Sequence, residues 1–119
     1  MSLAAAPAGD DIVLDDTIHQ ATRLRIMTVL VSVPEADRLA YGFIQETLGL
    51  TGGNLTIHLR KLQQAGYLEI TKEFCGTKPR TWVQATPSGR RAFADYLSNL
   101  QRALTFQPPQ PPSEDRTDT

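Results

Sequence analysis

The stretch TGGNLTIHLRKLQQAGYLEI, Thr51 to Ile70, constrains the fold most, because it reads as an amphipathic helix running straight into a strand. Thr51 is a capping residue type and Gly66 follows the last residue with helical periodicity, which predicts a helix over about 51–65. On a helical wheel Leu55, Leu59 and Leu62 share one face, with His58 and Ala65 at its margin. These leucines are core. Gly53, Ile57, Arg60 and Gln64 point the other way, flanked by Thr56 on one side and by Asn54 and Lys61 on the other.

That outer face carries the chemistry. An ordinary solvated surface explains Arg60 or Gln64, but it gives no reason for a β-branched apolar residue, Ile57, near the centre. A thymine methyl group gives one. Asn54 and Thr56 suit hydrogen bonds to base edges, and Arg60 suits guanine or a phosphate. Glycine inside a helix costs about 1 kcal/mol against alanine, so the leading pair Gly52-Gly53 also asks for a cause. At a helix start, exposed N–H groups and the positive dipole end attract phosphate, and a missing Cβ allows close approach. The competing reason, that glycine is cheap near an N-terminus, covers one glycine better than two.

The remaining elements follow from local signals. A first helix is predicted from about Asp15 to Gln20 and a second from Thr22, taken as its N-cap, to Val33, with Pro34 ending it. ADRLAY reads as a loop with one short strand at most, followed by a short helix around Gly42–Leu48 with Gly49 as its C-terminal glycine. Two short helices joined by Gly49-Leu50-Thr51 have helix-turn-helix spacing. YLEITKEF and RTWVQAT, separated by CGTKP, form a β-hairpin with Lys72, Lys78 and Arg80 near its turn. Thr86-Pro87 starts a last helix over about 87–104. Its stripe of Phe93, Tyr96, Leu97, Leu100 and Leu104 either covers the chain's own core or forms a seam with a second copy. We take it as a dimer seam, completed by the first helices. The class is α+β, mostly α, with one domain over residues 12–105. Residues 1–11 and the Pro-rich acidic tail 106–119 are expected to be disordered.

Composition bounds the chemistry. The net charge of -1 hides segregation: residues 19–91 hold ten Lys/Arg against five Asp/Glu, while both ends are acidic. A basic centre admits a polyanionic partner. One cysteine, Cys75, supports neither a disulfide framework nor a cysteine-rich zinc module and fits a reducing cytoplasm. His19 and His58 stand apart from it, so neither metal nor cofactor is expected. There is no phosphate loop and no supported nucleophile–base pair, which argues against an enzyme. No apolar run reaches the ~18 residues of a membrane span, so no membrane partner is expected.

IHQATRLRIMTVL (18–30), LGLTGGNLTIHLRKLQQAGYLE (48–69) and KPRTWVQATPSGRRAF (78–93) together resemble the winged-helix transcriptional regulators of the MarR and ArsR type. The likeness is nearest to their small "winged helix DNA-binding domain" group and covers about residues 12–104. It implies a winged helix-turn-helix with a two- or three-stranded antiparallel wing over about 67–86 and a C-terminal dimerisation helix. It also implies a cytoplasmic homodimer that binds double-stranded DNA. Carried over by position, the DNA-facing residues fall on Gly53, Asn54, Thr56, Ile57, Arg60 and Lys61, with Lys78 and Arg80 in the wing. Metal sensing is not implied, because the cysteine pairs and His/Asp clusters of metal-sensing relatives are missing. A small-molecule effector is compatible but has no support in this short chain. The rival reading is a winged helix that grips a protein instead of DNA.

Overall fold

The computed structural model describes residues 12–105 of the 119-residue chain. The expectations for residues 1–11 and 106–119 lie outside the described residues. Along the chain come α1 (Asp16–His19), α2 (Ala21–Val31), β1 (Leu39–Ala40), α3 (Tyr41–Leu48), α4 (Gly52–Gln64), β2 (Leu68–Cys75), β3 (Lys78–Ala85) and α5 (Pro87–Thr105). The sheet is antiparallel in the order β1-β3-β2. The wing therefore has three strands, with Leu39 opposite Val83 and Ala40 opposite Trp82.

Helix starts are set by side-chain acceptors. Asp15 Oδ1 takes the N–H groups of Thr17 (2.8 Å) and Ile18 (3.1 Å), capping α1. The same carboxylate accepts the phenol of Tyr67. That hydrogen bond, then burial, then the Asp15 charge push the Tyr67 hydroxyl up to about 12. The cap of α2 differs from the sequence expectation: Gln20 Oε1, not Thr22, accepts the Arg23 N–H at 2.8 Å. Gln20 holds an extended backbone that stops α1, and its longer side chain can still fold back onto the next turn. Helix α2 also stops two residues early, at Val31. A residue before proline disfavours helical backbone, and Arg90 Nη2 donates to the carbonyls of Leu30, Val33 and Pro34 at 3.4, 2.8 and 3.2 Å. An arginine counted in the basic centre thus serves as a structural cap.

The helix-turn-helix is α3 and α4. Gly49 takes the left-handed conformation (φ 67°), and Leu50 N–H bonds to the Gln45 carbonyl at 3.1 Å, closing α3. Thr51 Oγ1 then accepts the Asn54 N–H at 3.2 Å and opens α4. Leu55, Leu59 and Leu62 are buried, as their spacing requires, against a core that includes Ile18, Ile26, Met27, Leu30, Ile44, Leu68 and Val83. Ala65 is exposed instead of sitting at the core margin.

The last-helix stripe divides. Phe93 and Tyr96 are buried in the chain's own core, and the Tyr96 hydroxyl lies 2.7 Å from His19 Nδ1. They are not available to a dimer seam, which corrects the sequence expectation for these two residues. A single stripe on a long helix covers the monomer with its first turns and leaves its later turns uncovered. Leu97 and Leu104 are exposed, and Leu100 is half-buried against the core.

Helix α5 is seated by TPSG. Thr86 Oγ1 accepts the Gly89 N–H at 2.9 Å and donates to the Gly66 carbonyl at 2.6 Å. Gly89 is buried against Tyr67, and a Cβ there would lie 2.0 Å from the Tyr67 carbonyl oxygen. That contact is with backbone and cannot swing aside. Gly89→Ala is expected to destabilise the fold by about 1–3 kcal/mol through overpacking, read as a lower urea midpoint with the slope unchanged.

Candidate nucleic-acid interface

Of the six α4 residues expected to face DNA, five are exposed, Gly53, Asn54, Ile57, Arg60 and Lys61, and Gln63 and Gln64 are exposed beside them. Ile57 is 56% exposed, so the described residues leave most of it uncovered. An alanine Cβ at Gly53 would meet no atom within 4 Å, and one at Gly52 would make ordinary contact with Tyr41 Oη at 3.6 Å. Packing among the described residues therefore requires neither glycine.

Thr56 is placed differently. It is half-buried, and its hydroxyl lies 2.8 Å from the Tyr41 hydroxyl, which itself donates to the Gly52 carbonyl at 2.8 Å. Tyr41 has one proton to give, so Thr56 donates its own to Tyr41 and has no donor left for a base edge. Thr56 and Tyr41 fix α4 on α3. Tyr41 gave no sequence signal for this role, because the contact joins side chains on two different helices.

The hairpin faces α4 across a groove of about 660 Å³, lined by Thr56, Arg60, Gln63 and Gln64 on one side and Lys72 and Thr81 on the other. Register decides which wing residues look into it. Lys72 pairs with Thr81, Ile70 with Val83 and Phe74 with Pro79, all on the groove face. Glu73 pairs with Arg80 and Cys75 with Lys78 on the opposite face. Lys78 and Arg80 are exposed and near the turn, but the pleat separates them from Lys72. A two-residue period applied to the strands would have separated them from the sequence alone.

Several basic residues of the central region are committed elsewhere. Arg23 donates from Nε to the Thr17 carbonyl at 2.6 Å and from Nη1 to His58 Nδ1 at 3.2 Å. Arg25 Nη2 reaches the Leu48 carbonyl at 3.4 Å. Arg38 forms the one ion pair among the described residues, with Glu73. Arg60, Lys61, Lys72, Lys78 and Arg80 remain exposed on α4 and the hairpin, around one groove and one turn, while Arg91 is exposed on α5. Among the described residues no three His, Cys, Asp or Glu side chains are placed to hold a metal, and no helix is long and apolar enough to cross a membrane.

Residues 22–104 match the family described as "Winged helix DNA-binding domain". The chain belongs to the winged helix DNA-binding domain family. A relative of this winged helix domain, an uncharacterised protein of Methanocaldococcus jannaschii, is 30% identical over 82 residues, covering 69% of this chain and 86% of the relative. The structure of a transcriptional regulator homologue from Pyrococcus horikoshii OT3 superposes with a TM-score of 0.70 at 29% identity, covering 82% of this chain and 93% of that one. Bacillus subtilis PadR, solved with operator DNA, agrees in fold at 17% identity with a TM-score of 0.54, covering 79% and 51%.

His58 couples α4 of this winged helix to pH. An arginine only donates, so His58 Nδ1 must be unprotonated to accept from Arg23. Burial first, then the charges of Arg23 and Lys61, hold the imidazole below its usual 6.5. As pH falls, the unfolded chain takes up this proton first, so the His58 contribution is complete above about pH 6.5 and fades below it. The urea midpoint is expected to fall between about pH 7 and 5.5, and His58→Gln to reduce that fall over the same window.

Proposed function

We propose that the chain is a sequence-specific, double-stranded DNA-binding transcriptional regulator that acts in the cytoplasm as a homodimer. Helix α4 enters the major groove, with Asn54, Ile57 and Arg60 at the bases and Gly53 and Lys61 beside the backbone. The wing lies on the backbone or in the adjacent minor groove through Lys72, Lys78 and Arg80. The observation that carries the reading is the exposed Ile57, set between Asn54 and Arg60 on a helix whose leading glycines the packing of the described residues does not need. An apolar side chain there loses its cost once a thymine methyl covers it. The operator complex of PadR, which has the same fold, supports this docking.

The uncovered turns of α5 support a second copy. Leu97 and Leu104 on α5 lie exposed, and Asn99 Nδ2 holds the Val13 carbonyl at 3.2 Å, adding a third exposed apolar residue from the N-terminal segment. A twofold seam across this surface would present two α4 helices to major grooves about 34–36 Å apart on a near-palindromic site. Neither cofactor nor effector enters the proposal.

The first experiment is a binding titration on the DNA upstream of the chain's own coding region at 50–200 mM salt. Gly53→Ala is expected to raise thermal stability, by up to about 1 kcal/mol, while weakening DNA binding. Arg60→Ala is expected to cost about 1–3 kcal/mol on the operator. Affinity that does not change across the salt series would favour a protein partner over DNA. In sedimentation the wild type is expected as a dimer and the pair Leu97→Glu with Leu104→Glu as a monomer; a monomeric wild type at micromolar concentration removes the seam.

A further inference from the structure

Beside Lys78 and Arg80, the outer face of the hairpin carries three residues that the docking above leaves out, Arg38, Glu73 and Trp82. Arg38, in the loop before β1, grips Glu73 of β2 with two parallel contacts, Nη1 to Oε2 at 2.9 Å and Nη2 to Oε1 at 3.1 Å. Its guanidinium carbon also lies 4.8 Å from the centre of the Trp82 ring, and that of Arg80 lies 5.6 Å from the same ring. Both distances fall within cation–π range, so one indole orders two arginines. Trp82 lies on the same face of the sheet as Arg80 and Glu73, packed against both guanidinium groups.

A guanidinium fork closing on two oxygens of one acid is the geometry with which arginine takes a phosphate. The Glu73 carboxylate occupies the place of such an anion. The pair is open to solvent, with the Arg38 and Glu73 side chains 38% and 43% exposed, so another anion can reach it. An exposed ion pair is worth at most about 1 kcal/mol, which a phosphate anchored by other contacts can overcome. We propose that Arg38 and Arg80, ordered on Trp82, form a second DNA backbone phosphate site on the outer face of the wing, where phosphate displaces the Glu73 carboxylate. The inference rests on the DNA-binding reading above. Lys72 sits on the groove face and these arginines on the opposite face, so the hairpin carries cations on both sides. That suits a hairpin lying in a minor groove, whose two walls are the two phosphate strands. The outer face sets Arg38, Lys78 and Arg80 against Glu69 and Glu73, a surplus too small to capture a free phosphate but sufficient beside an anchored duplex.

The ion pair can be broken from either side. On operator DNA, Arg38→Gln is expected to weaken binding about tenfold, the loss of one charged hydrogen-bonded contact, and to flatten the salt slope by about one unit. Glu73→Gln is expected to tighten binding about threefold, since it removes the competing anion. Arg38→Lys is expected to keep the wild-type slope. Glu69→Gln, four residues along the same strand and beyond the Debye length, is expected to change affinity less than about twofold. Trp82 is the only tryptophan, so its fluorescence is expected to change on adding duplex and not on adding inorganic phosphate alone. If Arg38→Gln and Glu73→Gln move affinity in the same direction, the pair is a structural tie and the proposal fails. An unchanged slope in Arg38→Gln, with Arg60→Ala still impaired, overturns this site and leaves the DNA reading intact. A wild type that binds no duplex at low salt overturns both.

Discussion

Burial of Leu55, Leu59 and Leu62 is the constraint on which the rest of this structure depends. Each leucine taken from water contributes about 1.5–3 kcal/mol, and together they fix the rotation of α4 about its own axis. A turn of the helix by one residue would bury Thr56 and Arg60 and expose the leucines. With the rotation fixed, Gly53, Asn54, Ile57 and Arg60 can only face outward. Tyr41 then fixes the helix along its length, joining the Gly52 carbonyl and the Thr56 hydroxyl to the first residue of α3.

Much of this was legible in the sequence because it depends on local periodicity. The 3.6-residue spacing of the leucines gave both faces of α4, and Gly49, Thr51, Gly66 and Thr86-Pro87 marked its neighbours' limits. What failed to read were contacts between elements. Thr56 looked like a surface hydroxyl because its partner Tyr41 lies on another helix. Gln20 displaced Thr22 as a cap because the kink between α1 and α2 is a tertiary feature. Phe93 and Tyr96 belong to the same periodic stripe as Leu97 and Leu104, and only the assembled core separates the covered turns of α5 from the uncovered ones. Lys72, Lys78 and Arg80 were grouped by nearness to one turn, whereas the strand pleat sends them to opposite faces.

Charge follows the same division. The basic centre of the chain is not uniformly a surface: Arg90 closes α2 and Arg23 ties α1 to His58, both acting on carbonyl or imidazole acceptors inside the chain. Of the cations left over, all but Arg91 of α5 lie on α4 and on the two faces of the hairpin. A net charge near zero therefore coexists with a local surplus of cations on α4 and the hairpin, which is the quantity that matters to a polyanion.

The central claim is that the outward face of α4 is where the duplex sits, and amide resonances titrated with operator DNA test it residue by residue. The account predicts that Gly52, Gly53, Asn54, Ile57, Arg60 and Lys72 shift in proportion to bound duplex, and that the amides of Leu97 and Leu104 do not. Shifts confined to α5, or none on α4 at low salt, would contradict it.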